Sequence, residues 1–198
     1  MENTFHHSVT GVVLAGGKSR RMGRDKAFIP IDGLPIVERI IRLFACKFAA
    51  VLVIGGEAER FAGYNVRHHQ DIYPGYALGG LYTGLSFAET PYIFVSACDI
   101  PYPSGMVMDH LLSLRHGFDA VIAESGNALQ PLFAVYGKGC LEAMRLQLED
   151  GNPCILDLFP RITTRTVTPA ELASIAGADR CFCNLNTPED VQQLQIKQ

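Results

Sequence analysis

Five cations stand between positions 18 and 26: Lys18, Arg20, Arg21, Arg24 and Lys26. They follow the glycine pair Gly16-Gly17, which in turn ends the apolar run Val9 to Ala15. Glycines let a backbone turn sharply and come close to a ligand. Consecutive N–H groups in such a turn form an anion-binding nest. A triphosphate calls for both kinds of donor, directional amides and side-chain charge. The plainer alternative is a basic surface loop between a strand and a helix. Five cations beside a glycine pair, in a chain of net charge −3, weigh against it. The loop is not a Walker loop, because no G-K-[ST] closes it at the required spacing. It also lacks the G-x-G-x-x-G spacing of a dinucleotide-binding turn.

A second candidate is Asp99. It ends the apolar run Tyr92 to Ala97, and Pro101 and Pro103 stop any continuation of a strand. A carboxylate at the carboxyl end of a central strand sits where α/β sheets bind ligands. Mg²⁺ takes one or two carboxylates and completes its shell with phosphate oxygens and water. Asp99 therefore reads as a metal ligand beside a bound triphosphate. The alternative is a turn or capping aspartate. Cys98 has no activating partner in the sequence and reads as a small buried side chain rather than a nucleophile.

The third stretch runs from Asp71 to Gly84 and is rich in glycine where a helix should begin. Each helical glycine costs about 1 kcal/mol relative to alanine, so something must approach closely there, either a ligand or packed backbone. Asp71 is the candidate ligand contact, with a capping role as the alternative. Near the C-terminus, Asn184 and Asn186 offer amide donors, or else cap the last helix. The six histidines show no metal-ligand spacing. His68-His69 is a tempting pair, but neighbouring residues on a strand face opposite ways.

These candidates need a frame. Apolar spacing predicts helices over Pro35 to Phe48, Leu78 to Ala88, Met106 to Leu114 and Gly139 to Leu148, with short ones at Cys154 to Phe159 and Pro188 to Gln195. Strands are predicted at Val9 to Ala15, Ala50 to Ile54, Tyr92 to Ala97, Asp119 to Ala123, Leu129 to Tyr136 and Thr163 to Val167, and Cys181-Phe182-Cys183 also reads as strand. Apolar strands separated by helices imply a three-layer, doubly wound α/β fold, with a mostly parallel sheet covered on both faces. The ligand loops should then follow Val13, Ile54 and Ser96. Residues 1–198 read as one domain, with segment 124–168 as a small subregion at most.

Composition narrows the function classes. The chain is 48% hydrophobic and 19% charged, which suits a folded core and argues against disorder. No basic excess points to nucleic acid. No run of about 18 apolar residues is present, and residues 1–10 lack a signal-like apolar core. The six cysteines show no C-x-x-C spacing and read as reduced, buried thiols. On these readings the cytoplasm is the default location.

The stretch Leu14-Ala-Gly-Gly-Lys-Ser-Arg-Arg-Met-Gly-Arg-Asp-Lys26 resembles the nucleotide loop of the molybdenum cofactor guanylyltransferases, the MobA family, within the wider nucleotidyltransferase class. The resemblance continues in order along nearly the whole chain. It implies that the Leu14-Ala15-Gly16 stretch contacts the nucleotide, that Lys26 binds its phosphates, that Asp99 of Cys-Asp-Ile-Pro-Tyr holds Mg²⁺, and that the N-terminal part binds nucleotide and the C-terminal part the acceptor; Gly17 joins the set through its amide and Arg21 through its charge. Asp71 would contact the nucleotide, and the loop up to Gly80 would close near the base. Many members carry G-P-L where this chain has Tyr76-Ala77-Leu78, so the loop loses a proline. Where the family often has a polar Asn-rich stretch, this chain has Gly55-Gly56, leaving any contact there to the backbone. Gln130-Pro131-Leu132-Phe133-Ala134 and Asn184-Leu185-Asn186-Thr187-Pro188-Glu189 are similar to motifs on the family's acceptor side.

The resemblance implies transfer of GMP from GTP to the phosphate of molybdopterin or its molybdenum-bearing form, with cofactor-biosynthesis proteins and molybdoenzymes as protein partners. Within the same fold the alternatives are a molybdopterin cytidylyltransferase or a sugar-phosphate enzyme. Cytidylyl relatives tend to carry A-A-G where this chain has Ala15-Gly16-Gly17. A GTP-binding regulator without catalysis is the alternative from another class, and Asp99 with Lys26 argues against it.

Overall fold

The computed structural model describes residues 5–16, 26–183 and 185, and of Lys26 the backbone alone. The chain begins with β1 (Val9–Leu14), every residue of which is buried. A 3-10 turn at Lys26–Phe28 leads to a two-stranded hairpin, β2 (Pro30–Ile31) and β3 (Leu34–Pro35). Its turn is Asp32-Gly33, with φ of 49° and 80°. That Asp-Gly pair is the signature of a two-residue hairpin, and it explains an element the apolar pattern did not reveal.

Next come α1 (Ile36–Lys47), β4 (Val51–Ile54), β5 (Arg67–His69), α2 (Ala77–Phe87) and β6 (Tyr92–Ala97). The second half supplies α3 (Gly105–Ser113), β7 (Ala120–Ser125), β8 (Ala128–Gly137), α4 (Leu141–Glu149), a 3-10 segment Ile155–Arg161 and β9 (Thr164–Val167). Two short helices follow, α5 (Pro169–Leu172) and α6 (Ala178–Cys181).

Seven strands form one sheet in the order β5-β4-β1-β6-β8-β7-β9. β8 alone runs against its neighbours, pairing antiparallel with both β6 and β7. The cause is local. Gly126 and Asn127 both take positive φ, 58° and 62°, so the chain reverses in two residues between β7 and β8. Segment 124–168 is therefore no subregion apart: β8 and β9 are hydrogen-bonded into the same sheet.

Each face of the sheet carries its own core. On one, α1 and α3 pack their apolar sides against Val13, Val53, Phe94 and Phe133. Phe44 of α1 meets Phe48 and Phe94 at ring separations of 5.3 and 5.9 Å, and Phe94 meets Phe133 at 4.8 Å, all edge to face. Such pairs add about 0.5–1.5 kcal/mol beyond area burial. Gly11 makes room for them, since a Cβ there would lie 2.6 Å from the Phe44 ring. On the other face, α2 and α4 cover Val12, Leu52, Val95 and Ile122. The four longer expected helices and the six apolar strands thus stand, the short helix expected at Cys154 to Phe159 is the 3-10 segment, and the sheet is mostly parallel with helices on both sides.

Two expectations fail. Cys181 closes α6 and Cys183 follows it in non-strand backbone, so the Cys-Phe-Cys alternation is helix end rather than strand. The cysteines are free, as read, but only Cys140 and Cys181 are buried; Cys46, Cys154 and Cys183 are exposed. The Pro188 to Gln195 helix lies outside the described residues. No helix among the described residues is long and apolar enough to cross a membrane.

Candidate functional site

The site gathers at the carboxyl edge of the parallel strands. Leu14, the last residue of β1, pairs with Ile54 of β4 on one side and Ala97 of β6 on the other. Three strands therefore end level. Just past them, Ala15 donates its N–H to Ile54 O at 2.9 Å and Cys98 donates to Leu14 O at 3.3 Å. Gly16 is exposed at the edge. Gly55 and Gly56, which follow β4, take φ of 76° and 73°. A Cβ on Gly55 would lie 2.8 Å from Gly16 Cα. The two loops thus touch through bare backbone, which sequence reasoning did not foresee; the paired glycines were its only signal.

Asp99 stands two residues beyond β6 and is half-buried. Its carbonyl accepts the N–H of Leu185 at 3.0 Å, which ties this loop to the C-terminal segment. Among the described residues no three His, Cys, Asp or Glu side chains are grouped to hold a metal. A dedicated protein cage is therefore absent from that part of the chain. A single strand-end carboxylate, on the strand next to the one that ends before Gly16, instead fits the Mg²⁺ habit of drawing most oxygens from substrate and water.

Lys26 opens the 3-10 turn, and the next residue, Ala27, is fully buried in the core cluster that also holds Ala15. Phe28 is fixed by the Phe61 ring at 5.6 Å and the Arg60 guanidinium at 3.7 Å. Gly17 and Arg21 lie outside the described residues, as do Asn184 and Asn186.

Asp71 follows β5 at the same edge. Its Oδ1 accepts the N–H of Tyr73 and the hydroxyl of Thr83, each at 3.0 Å. Burial pushes its carboxyl above the usual carboxylate range, and the Thr83 and Tyr73 hydrogen bonds work against that rise. Its Oδ2 sits beside Gly80: a Cβ there would lie 3.6 Å from Oδ2 and 3.2 Å from the Leu14 side chain. Gly80 thus joins Asp71 to Leu14, at the root of the loop that opens with Gly16.

The neighbouring glycines answer the question left by the sequence. A Cβ on Gly79 would lie 2.0 Å from Tyr73 O, and one on Gly84 would meet Val12 at 2.6 Å. Packed backbone and strand side chains account for both. His68 and His69 do face opposite ways: His68 Nε2 lies 2.9 Å from Gly55 O, while the His69 ring stacks on Phe87 at 4.0 Å.

On the other side of Asp99, β8 pairs with β6 only from Phe133 onward. Residues 128–132, including Gln130, therefore run past the end of β6 at the ligand edge. Beyond them a cavity of about 490 Å³ opens between the Glu124–Gly126 turn and the segment carrying Ala176 to Phe182.

Comparison with known proteins agrees with this geometry. Residues 11–161 match the model of the MobA-like NTP transferase domain family. A relative from Pelotomaculum thermopropionicum, named a probable molybdenum cofactor guanylyltransferase, is 32% identical over 94% of this chain and 92% of its own length. A molybdenum cofactor guanylyltransferase from Desulfosudis oleivorans is 29% identical, with 95% of each chain covered. The solved structure of molybdopterin-guanine dinucleotide biosynthesis protein A from Archaeoglobus fulgidus shares the fold, with a TM-score of 0.82 at 22% identity over 95% of this chain and 97% of that one. On these grounds the chain belongs to the MobA-like NTP transferase domain family.

Proposed function

We propose that this nucleotidyltransferase moves GMP from GTP onto the phosphate of molybdopterin, releasing pyrophosphate and forming a guanine dinucleotide cofactor. The observation that carries the reading is the level ending of β1 and β6. It sets the glycine turn at Gly16 one strand from Asp99. Guanylyltransferase names recur among the full-length relatives and supply the base and the acceptor.

The acceptor phosphate is already an anion, so its attack on the α-phosphorus needs no strong general base. Catalysis then rests on alignment and on charge stabilisation. The amides of Gly16 and Gly17, with Lys26 and Arg21, would hold the triphosphate. Asp99 would hold Mg²⁺, which when bound offsets charge on the α-phosphate and the departing pyrophosphate. In this reading Asp71 and the Gly80 backbone would contact the nucleoside, and Asn184 and Asn186 would contact the acceptor. The cavity beyond the Glu124–Gly126 turn has a volume typical of small-molecule sites, and we assign it to the acceptor's ring system. Work in the cytoplasm fits the free thiols of all six cysteines. Partner proteins of cofactor biosynthesis would take the product on.

The test is an assay of purified protein with Mg²⁺, each nucleoside triphosphate in turn, and molybdopterin. Pyrophosphate and dinucleotide should form together, with GTP and with the metal present. Dinucleotide formation from CTP in preference to GTP would overturn the base assignment. GTP binding without pyrophosphate release would overturn the enzyme.

A further inference from the structure

We propose that Thr83, which touches no reacting atom, is the positioning residue that fixes Asp71 for the nucleotide. The inference rests on the reading of Asp71 as a nucleotide contact.

Thr83 lies on α2, is fully buried, and is twelve residues from Asp71. Its hydroxyl has one proton to give and can accept twice. The N–H of Ile72 donates to it at 2.9 Å. Two acceptors stand within reach of its proton: Asp71 Oδ1 at 3.0 Å and the carbonyl of Gly79, one helical turn back, at 2.9 Å. The carboxylate attracts the proton more strongly when ionised, because charge-assisted hydrogen bonds are about twice as strong as neutral ones. With Tyr73 N–H on the same oxygen, Oδ1 receives two donors. The carboxylate cannot then rotate freely, and Oδ2 is the oxygen left toward Gly80 and Leu14. Thr83 thus bonds to both the backbone and the side chain of the 71–72 loop. A threonine serving the helix alone would need only the Gly79 carbonyl.

The experiment compares Thr83→Val, Thr83→Ser and Asp71→Asn, with the Thr83→Val/Asp71→Asn double variant, in the full-length protein with GTP, Mg²⁺ and molybdopterin. Thr83→Val is expected to raise the KM for GTP about tenfold, the weight of a hydrogen bond to a charged group. The kcat and the acceptor KM should stay within about twofold. Thr83→Ser keeps the hydroxyl and should restore the GTP KM to near the parent value. In the Asp71→Asn background, Thr83→Val should add little, since coupled residues are not additive. Should Thr83→Val fold poorly, Thr83→Ala is read in its place; it leaves room for a water at the Ile72 N–H.

A Thr83→Val or Thr83→Ala protein with the parent's GTP KM, alongside an impaired Asp71→Asn, overturns the proposal and leaves Asp71 standing. So does a Thr83 effect of equal size with and without Asp71. An Asp71→Asn protein with unchanged GTP KM overturns the reading beneath it, and the proposal with it.

Discussion

Cys98 donates its backbone N–H to the carbonyl of Leu14 at 3.3 Å, just past Leu14 and Ala97, the last paired residues of two adjacent parallel strands. The bond fixes the two loops that follow these strands at their roots. One loop begins with Gly16, the other carries Asp99. On the proposed reading, this brings the triphosphate and the Asp99 carboxylate to one edge of the sheet, where a divalent cation would reconcile their charges.

Asp99→Ala is accordingly expected to lower turnover by about three orders of magnitude. That is the scale of several kcal/mol of charge stabilisation supplied through a metal. It is the carbonyl of Asp99 that accepts Leu185 N–H, and a substitution retains it. A loss of folded protein, read in the melting temperature, is the outcome to be separated from a loss of metal. Steady-state rates across a Mg²⁺ titration, with thermal melts beside them, check both halves. Parent-like activity with parent-like metal dependence would remove Asp99 from the metal.

Lys26→Ala should act on binding rather than on the fold. Loss of a charged donor to a triphosphate typically costs about 1.5–3 kcal/mol, or roughly a 10–100-fold rise in Kd for GTP. Calorimetric titration with GTP measures it directly. An unchanged Kd would mean that the other four cations of the 18–26 stretch carry the phosphates without it.

Much of this arrangement was legible because it is written in local pattern. Ala50 to Ile54 and Tyr92 to Ala97 are apolar on both faces, as buried parallel strands must be. Asp99 and Gly16 are polar or bare residues placed where such runs stop. β5 was legible only as a strand-like His68-His69 pair with no place in the sheet: Arg67-His68-His69 is a polar strand of three residues at the sheet's edge. Its membership depends on pairing with Leu52 to Ile54, which no local pattern encodes. The reversal at Gly126-Asn127 carries its turn chemistry openly, but apolar spacing does not mark it. Cys181-Phe182-Cys183 misled because period-two alternation over three residues is too short to tell strand from helix end. Thr83 was invisible for a different reason. Its hydroxyl matters only because the fold returns it to Asp71.

Gly79 offers a test of that close packing. Alanine is the better helix former by about 1 kcal/mol, yet its Cβ would stand 2.0 Å from the Tyr73 carbonyl. Backbone on both sides leaves nothing flexible to yield, so the clash prevails. Gly79→Ala is expected to destabilise by about 1–3 kcal/mol and, by pushing the 71–73 loop, to weaken GTP binding. Gly63 is the control: a Cβ there meets nothing within 4 Å and its φ is not positive. Gly63→Ala should be neutral or stabilising by up to about 1 kcal/mol. Denaturant melts of the two proteins settle the comparison, and equal stability would show that the 71–73 loop moves freely over α2.

Asp71 should leave its mark on stability as a function of pH. Burial raises its carboxyl in the folded protein above the value it has in the unfolded chain. Between those two values the folded state holds more protons than the unfolded one. Stability therefore falls as pH rises through that window, and the loss is complete above the folded value. At neutral pH the ionised Asp71 is thus a burden on the ligand-free protein. Asp71→Asn removes the charge and keeps an oxygen for Tyr73 N–H and the Thr83 hydroxyl. The variant is expected to melt higher than the parent near pH 7, to lose that advantage on acidification, and to bind GTP more weakly throughout. Thermal melts from pH 4 to pH 8, with and without GTP, distinguish this from a purely structural aspartate, whose loss would lower the melting temperature across the range. A site residue that costs stability and strengthens ligand binding is what selection for function, rather than for folding, would retain.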